Sequence, residues 1–469
     1  MIPELTTWRN QSPGNLDLRL DEVHRTPIPP LVDAATKAAP GWARVPLSER
    51  IERLRSARSK LEIVQEDLAL QIAIETGKPL AEARGELGAV LGKFELSFAD
   101  ASRHLADERV TDGPHPARVR RRARGVAAVI APFNFPIHLG HGASLPHLLA
   151  GNPVVFKPSP SAAGVAGRYA RIMAESLPPG VFALAQGGAD CGIELCTHPS
   201  VRSICFTGSA TAGRHLAQLV ADDFSKDLAL ELGGKNAAIV WSDADLPSAA
   251  QAVADGMCLT AGQRCNATSR VILHREIAPA FLELLIESLR RYTPADPTEP
   301  EARLGPLIDR RAWEQYRLAL DQSEGGDWIL HGEALRAVDG LRGFYVQPAV
   351  FAVGGKSADP RPPLLTKELF APLLAAQTAS DIDQALAEAN RSVYGLSCSV
   401  FTKSEATFWR FADELQAGNV YANLPTTFSP STLPFGGWGE SGNGKPGGRG
   451  FIRFVTAEQA IQIRTDSLA

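Results

Sequence analysis

Between residues 29 and 105 apolar side chains recur at helical spacing among charges, with Ile51, Leu54, Leu61, Val64, Leu68 and Ile72 following the repeat. The pattern predicts successive helices, interrupted at Gly77-Lys78-Pro79. Such helices form a layer that must cover something. Residues 1–17, polar and proline-punctuated, predict an irregular opening. Residues 117–124 lie between Pro116 and Gly125 and lead into a short apolar run at 126–131, which predicts a strand pair.

From residue 154 the rhythm changes. Short β-rich runs at 154–156, 181–185, 203–206 and 228–230 alternate with helical stretches near 162–175, 191–197 and 211–220. A second alternation follows, with strands at 237–241 and 270–274 and helices at 246–258 and 277–291. Short apolar strands alternating with helices predict parallel, doubly wound sheets. Such sheets bind ligands beyond the carboxyl ends of their strands. Those ends carry Lys157-Pro158-Ser159, Gln186-Gly187-Gly188, Thr207-Gly208-Ser209 and Glu231-Leu232-Gly233. Residues 294–305 and 354–363 read as connections, and 380–389 as a helix with Asp381 and Asp383 in its first turn. Residues 434–450 form a glycine-rich loop, and 451–464 a strand leaving the body.

Composition narrows the classes. A chain of 469 residues exceeds what one core usually serves, so two or three domains are expected. A net charge of −4 gives no electrostatic case for nucleic acid or an anionic membrane. The basic run from Arg118 to Arg124 reads as one face of a strand or an intersubunit contact. No apolar run approaches the ~20 residues that span a bilayer. The six cysteines show no metal-ligand spacing, which, with the lack of a signal-like N-terminus, predicts a reducing cytoplasm and no metal.

The candidate chemistry centres on Ala261-Gly262-Gln263-Arg264-Cys265, read together with Leu230-Glu231-Leu232-Gly233-Gly234-Lys235. Taken alone, Cys265 reads as a buried small hydrophobe. As a nucleophile it needs a dipolar setting or a base, and Glu231 is the candidate. Gly187-Gly188-Ala189-Asp190-Cys191-Gly192 departs from a regular G-x-G-x-x-G. Phe206-Thr207-Gly208-Ser209 before a helix suits a phosphate better, through free N–H groups and a hydroxyl.

From about Lys37 onwards the chain resembles the aldehyde dehydrogenase superfamily. The residues that carry this, in order, are Pro132-Phe133-Asn134-Phe135-Pro136, Phe156-Lys157-Pro158-Ser159, Phe206-Thr207-Gly208-Ser209, Leu230-Glu231-Leu232-Gly233-Gly234-Lys235, Gly262-Gln263-Arg264-Cys265, Glu368-Leu369-Phe370 and Pro434-Phe435-Gly436-Gly437. Less specific matches are similar to the succinylglutamate semialdehyde dehydrogenase branch: Asn134-Phe135-Pro136-Ile137-His138-Leu139, Leu148-Leu149-Ala150-Gly151-Asn152, Pro425-Thr426-Thr427 and Ser441-Gly442-Asn443-Gly444.

The resemblance implies an α/β fold with a Rossmann-type parallel-sheet cofactor domain (residues 1–107 and 127–233) and an α/β catalytic domain (234–448). A small β oligomerisation extension (108–126 and 449–469) would make a homodimer or homotetramer. It implies NAD(P)-dependent oxidation of an aldehyde to an acid. Cys265 forms a thiohemiacetal whose oxyanion is held by Asn134 and the Cys265 N–H, hydride leaves to nicotinamide, and Glu231 activates water against the thioester. Lys157 and Glu368 would contact ribose, Phe370 and Phe133 flank the reacting ring, and Gly208 with Ser209 approach the pyrophosphate. Ser159, Gly188, Gly192, Phe206 and Leu232 complete the implied cofactor set.

One departure concerns the cofactor. Many NAD-preferring relatives carry Glu three residues after the Lys, where this chain has Pro160. NAD is therefore expected, with NADP also admitted. For the substrate, His138, Arg264 and Thr432 would surround the aldehyde entrance, with the loop from Thr426 to Thr432 closing one side. Such a mouth suits an amino-acid-derived semialdehyde such as N-succinylglutamate 5-semialdehyde, of arginine catabolism. Other readings are a different or broad-specificity aldehyde dehydrogenase, a coenzyme-A-acylating relative and a non-catalytic scaffold.

Overall fold

The computed structural model describes residues 6–110, 115–321, 325–354 and 363–464. Most of the connection expected at 354–363, the first residues of the opening and the last of the extension lie outside the described residues. The opening is not irregular. Thr7–Ser12 (β1) and Asn15–His24 (β2) form an antiparallel hairpin around Pro13-Gly14. The alternation Leu16, Leu18, Leu20 among polar residues is the strand signal behind it.

The helical layer follows as Ile28–Arg44 (α1), Leu47–Ile63 (α2), Gln65–Thr76 (α3) and Leu80–His104 (α4). Gly77, at φ 74°, ends α3 in the left-handed conformation, and Pro79 sits at the start of α4. Leu54, Leu61, Leu68, Ile72, Leu87, Val90 and Phe94 are buried in the core shared with the first sheet.

Strands Glu108–Val110 (β3), Ala117–Ala123 (β4) and Val126–Ile130 (β5) lead to the helix His138–Ala150 (α5). The chain continues through Val154–Lys157 (β6), Ala163–Glu175 (α6), Phe182–Leu184 (β7), Ala189–Thr197 (α7), Val201–Thr207 (β8), Ala210–Val220 (α8) and Asp227–Glu231 (β9). The parallel order is β9-β8-β5-β6-β7. The chain runs outward from β5 one way and then the other, so a crevice opens at the carboxyl ends of β5 and β8.

Residues 434–450, expected as a loop, carry paired segments. Gly442–Asn443 adds an antiparallel edge to β9 opposite Leu230 and Glu231. Gly442, at φ 117°, lets the main chain lie against the Leu230 carbonyl, where a β-carbon would collide.

The second sheet is seven-stranded. Asn236–Val240 (β10), then Leu246–Cys258 (α9), then Thr268–His274 (β11) lie at its centre. Leu373–Ala379 and Ala349–Val353 extend one side, and Ser397–Phe401 and Asn419–Ala422 the other, all parallel. Gly326–Leu330 closes an edge antiparallel. Asp381 caps the helix Ile382–Asn390 instead of lying inside it, and Asp383 is in the first turn.

A third, antiparallel sheet has the order Thr456–Gln462, β4, β3. The expected strand at 451–464 thus begins only after a turn at Phe451–Arg453. The basic run lies on β4, where Arg121 pairs with Glu458 at 2.7 Å and Arg120 with Asp107 at 3.2 Å. Asn152 ties this sheet to the body through the N–H groups of Arg124 (2.7 Å) and Gly125 (3.0 Å) and the Val455 carbonyl (2.8 Å). Among the described residues no helix is long and apolar enough to cross a membrane, and no side-chain cluster suits a metal.

Candidate active site

Cys265 follows a turn of unusual backbone. Thr260, Ala261 and Gly262 are consecutively left-handed, at φ 55°, 53° and 70°. For the two residues with a β-carbon this costs roughly 1–2 kcal/mol each. Side chains fix the turn. Glu82 on α4 accepts from the Thr260 N–H (2.9 Å), the Thr260 hydroxyl (2.7 Å) and the Arg264 guanidinium (2.6 Å). Gln263 accepts from the Ile308 N–H at 2.9 Å, and Asn236 donates to the Cys265 carbonyl at 2.8 Å. Gly234 is required where it is, because a β-carbon there would press on that same carbonyl.

The Cys265 thiol faces the Glu231 carboxyl, and neither Glu231 oxygen has a conventional partner among the described residues. Glu231 is 2% exposed at the end of β9. Burial pushes its pKa up to about 8; the thiol hydrogen bond opposes this and the nearby Glu368 charge adds to it. Burial and the Glu231 carboxylate push the thiol well above its usual range, opposed by the Asn266 N–H. Asn134 is buried beside this turn and donates one amide hydrogen to the Gln263 carbonyl at 2.8 Å, leaving its second for a ligand.

Cys265, Glu231, His138 and Arg264 line one cavity of about 310 Å³ with Phe135, Asn266, Lys93 and the segment Ser429, Pro430 and Ser431. The three residues expected at the aldehyde entrance differ in setting. Arg264 is held by Glu82 and stacks over Phe135 at 4.9 Å, so its charge is structural. His138 is kept neutral, its pKa lowered to about 3 by burial and by Lys93, Lys78 and Arg264. Thr432 lies in a neighbouring hollow with Arg103 and Arg449, and Ser431 stands at the Cys265 cavity in its place. The loop turns Thr432 outward because Thr426, fully buried, anchors it from below through the Asn266 carbonyl (2.7 Å) and Thr268 (2.8 Å).

Most of the implied cofactor residues lie around the strand ends of the first sheet, while Glu368 and Phe370 precede Leu373–Ala379 of the second. Lys157 ends β6, is 4% exposed, and donates to the Pro158 carbonyl at 3.1 Å. Gly192 on α7 packs over its stem, and Gly188 caps that helix. Glu368 accepts from the Gly234 N–H at 2.9 Å, and Phe370 meets Phe133 edge-on at 6.1 Å. Ser159 accepts from the Ser161 N–H at 3.3 Å, while the Pro160 carbonyl accepts from Asn10 at 2.6 Å. One expectation fails: the Gly208 N–H is not free, since it donates to the Glu231 carbonyl at 3.1 Å. A β-carbon at 208 would meet the Phe206 ring at 2.6 Å, so this glycine serves packing. Exposed Ser209 caps α8 by accepting from the Ala212 N–H at 3.3 Å, and Leu232 is buried behind.

A buried carboxyl facing a cysteine, between a doubly wound sheet and a second α/β sheet, defines an oxidoreductase-like class of site. Comparison with known proteins agrees. The aldehyde dehydrogenase family model matches residues 18–461, and the chain belongs to that family. It is 37% identical over 431 residues to N-succinylglutamate 5-semialdehyde dehydrogenase 1 of Caulobacter vibrioides, covering 88% of each chain. The corresponding enzyme of Escherichia coli O7:K1 is 35% identical over 420 residues, covering 88% of this chain and 84% of that one. Among solved structures, an NAD-dependent aldehyde dehydrogenase from Sinorhizobium meliloti superposes with a TM-score of 0.92 at 29% identity, over 99% of this chain and 92% of that chain.

Sequence reasoning missed Glu82, Lys93 and Asn266. Charges on α4 looked like a solvent face, and only the docking of that helix on the Cys265 turn reverses this. Glu82→Ala is expected to lower stability by about 3 kcal/mol, since it strands Arg264 in a mostly buried site. Urea midpoints measure this; an unchanged midpoint removes Glu82 as the anchor.

Proposed function

We propose that the protein is an NAD(P)-dependent dehydrogenase that oxidises a carboxylate-bearing semialdehyde, with N-succinylglutamate 5-semialdehyde as the favoured substrate. The observation that carries the chemistry is the Cys265 thiol facing the buried Glu231 carboxyl inside a cavity. The substrate reading rests on the activity named for the relatives and on the polar wall of that cavity, where Lys93 stands.

The groups at the strand ends suit a dinucleotide. Lys157 is an ammonium 4% exposed that donates to the Pro158 carbonyl, and Glu368 presents a half-buried carboxyl beside Gly234. We assign Lys157 and Glu368 to ribose hydroxyls and Phe133 and Phe370 to the nicotinamide end. NAD, when bound, accepts the hydride. An NAD complex is known for a similar structure, a betaine aldehyde dehydrogenase from Staphylococcus aureus with TM-score 0.92 and 25% identity, over 99% of this chain and 95% of that one.

In the proposed reaction the Cys265 sulfur loses its proton and adds to the aldehyde carbon. The free amide hydrogen of Asn134 and the Cys265 N–H hold the resulting oxyanion. Oxidation of this adduct leaves a thioester on Cys265. Glu231 then removes a proton from the water that attacks it, the carbon–sulfur bond breaks, and the acid leaves with the thiolate restored. The six free cysteines suit a reducing cytoplasm. The edge strand Thr456–Gln462 is proposed as a subunit contact in a homodimer or homotetramer.

Four tests follow from these assignments. With Glu231 acting as a base, kcat is expected to rise with pH through about 8 and level above it, because the carboxylate form is present above that pKa. Glu231→Gln should lower kcat by about a hundredfold or more and flatten this limb, and Cys265→Ala should abolish turnover; a pH profile unchanged in Glu231→Gln rejects the assignment. In an aldehyde panel N-succinylglutamate 5-semialdehyde should exceed hexanal in kcat/KM, and hexanal ahead would refute the substrate reading. The NAD over NADP ratio of kcat/KM should stay below about a thousandfold, or ~4 kcal/mol. Light scattering at micromolar concentration should give a multiple of 50.2 kDa, and a monomer mass rejects the contact.

A further inference from the structure

The wall of the Cys265 cavity formed by α4 carries charges that are nearly all paired. Glu82 holds Thr260 and Arg264. Glu86 pairs with the fully buried Lys78 and accepts from the N–H groups of Ile137 (3.1 Å) and His138 (3.0 Å). Lys78 also lies over the Phe135 ring at 3.8 Å. His138 is neutral. Lys93 is the exception on this wall. It is 5% exposed, borders the cavity, and has no hydrogen bond or ion pair among the described residues.

Isolating an ammonium in this way costs several kcal/mol. Asp100 is the carboxylate whose field reaches Lys93, but it accepts from the Gly450 N–H at 3.0 Å and lies 3.4 Å from His104. Burial brings the Lys93 pKa down to about 8, so it remains mainly protonated at neutral pH. Gly142 on α5 lies beside the Lys93 stem, where a β-carbon would be in ordinary contact with Cε at 3.5 Å. Lys93 and Cys265 border the same cavity, so a ligand that meets both spans it.

We propose that Lys93 is the specificity-determining residue of the site, binding a carboxylate carried by the aldehyde at a distance from its reacting carbon. This rests on the semialdehyde reading and deepens it. The carboxylate completes the pairing of the α4 wall, and a neutral aldehyde leaves Lys93 without a partner.

The test compares N-succinylglutamate 5-semialdehyde with hexanal in wild type, Lys93→Met and Lys93→Arg. Lys93→Met should raise KM for the succinylated aldehyde at least tenfold with kcat within about threefold. Its kcat/KM for hexanal should stay within about threefold of wild type, which also reports a folded site. Lys93→Arg should recover most of the loss. If wild type prefers hexanal, both the substrate reading and this assignment fall. If wild type prefers the succinylated aldehyde and Lys93→Met leaves its KM unchanged, or lowers activity on both aldehydes alike, the assignment of Lys93 alone is overturned.

Discussion

One carboxylate, that of Glu82, holds the conformation on which the rest of the site depends. The turn before Cys265 runs through left-handed geometry at two residues that carry β-carbons, which an isolated peptide would leave. Three hydrogen bonds from Thr260 and Arg264 to Glu82 offset this, with Gln263 and Asn236 fixing the flanks. The helix that lines the cavity is thus the one that sets the orientation of its nucleophile. The wall of the cavity and the anchor of the Cys265 turn share a single rigid element.

Burial shapes the chemistry as much as placement does. Glu231 and Cys265 sit together where burial disfavours the charged form of each; the Glu231 carboxylate makes the thiol harder to ionise, while the thiol partly offsets the rise at Glu231. The pair therefore rests with its protons on. A carboxyl raised to about 8 is a far stronger base, once ionised, than an ordinary glutamate, which suits it to deprotonate water next to a thioester. The C-terminal glycine-rich arm is part of this arrangement. Ser441 donates to the Gly233 carbonyl at 2.7 Å and accepts the Leu232 N–H on its own carbonyl at 3.0 Å, so the strand end that carries Glu231 is closed on its open edge.

The helical layer and both parallel sheets were legible from periodicity, because their cores are made by local repeats of apolar residues. Cys265, Glu231 and Asn134 were legible as a set through the family pattern; the Cys265 thiol faces the Glu231 carboxyl, and Asn134 donates to the Gln263 carbonyl of the same turn. The hairpin β1-β2 was passed over although Leu16, Leu18 and Leu20 alternate, since the surrounding polar and proline residues masked it. The surroundings of Arg264, Thr432 and Gly208 were not legible, for a common reason. Each was judged by what its own group could offer, while its actual partner, Glu82, the neighbouring hollow or the Glu231 carbonyl, comes from a distant part of the chain.

The amino-acid order by itself determined the α/β alternation, the polar and glycine-rich strand ends, and the side-chain types, thiol and carboxyl, of the candidate pair. These are local properties: repeat, glycine placement and side-chain type. Only the tertiary structure decided which charges remain available. Glu82, Glu86 and Lys93 occur on one helix with no local sign to tell them apart, and it is the docking of α4 against the Cys265 turn and α5 that pairs the first two and isolates the third. Pairing of buried charge depends on contacts far apart in sequence, so it emerges only when the chain is folded.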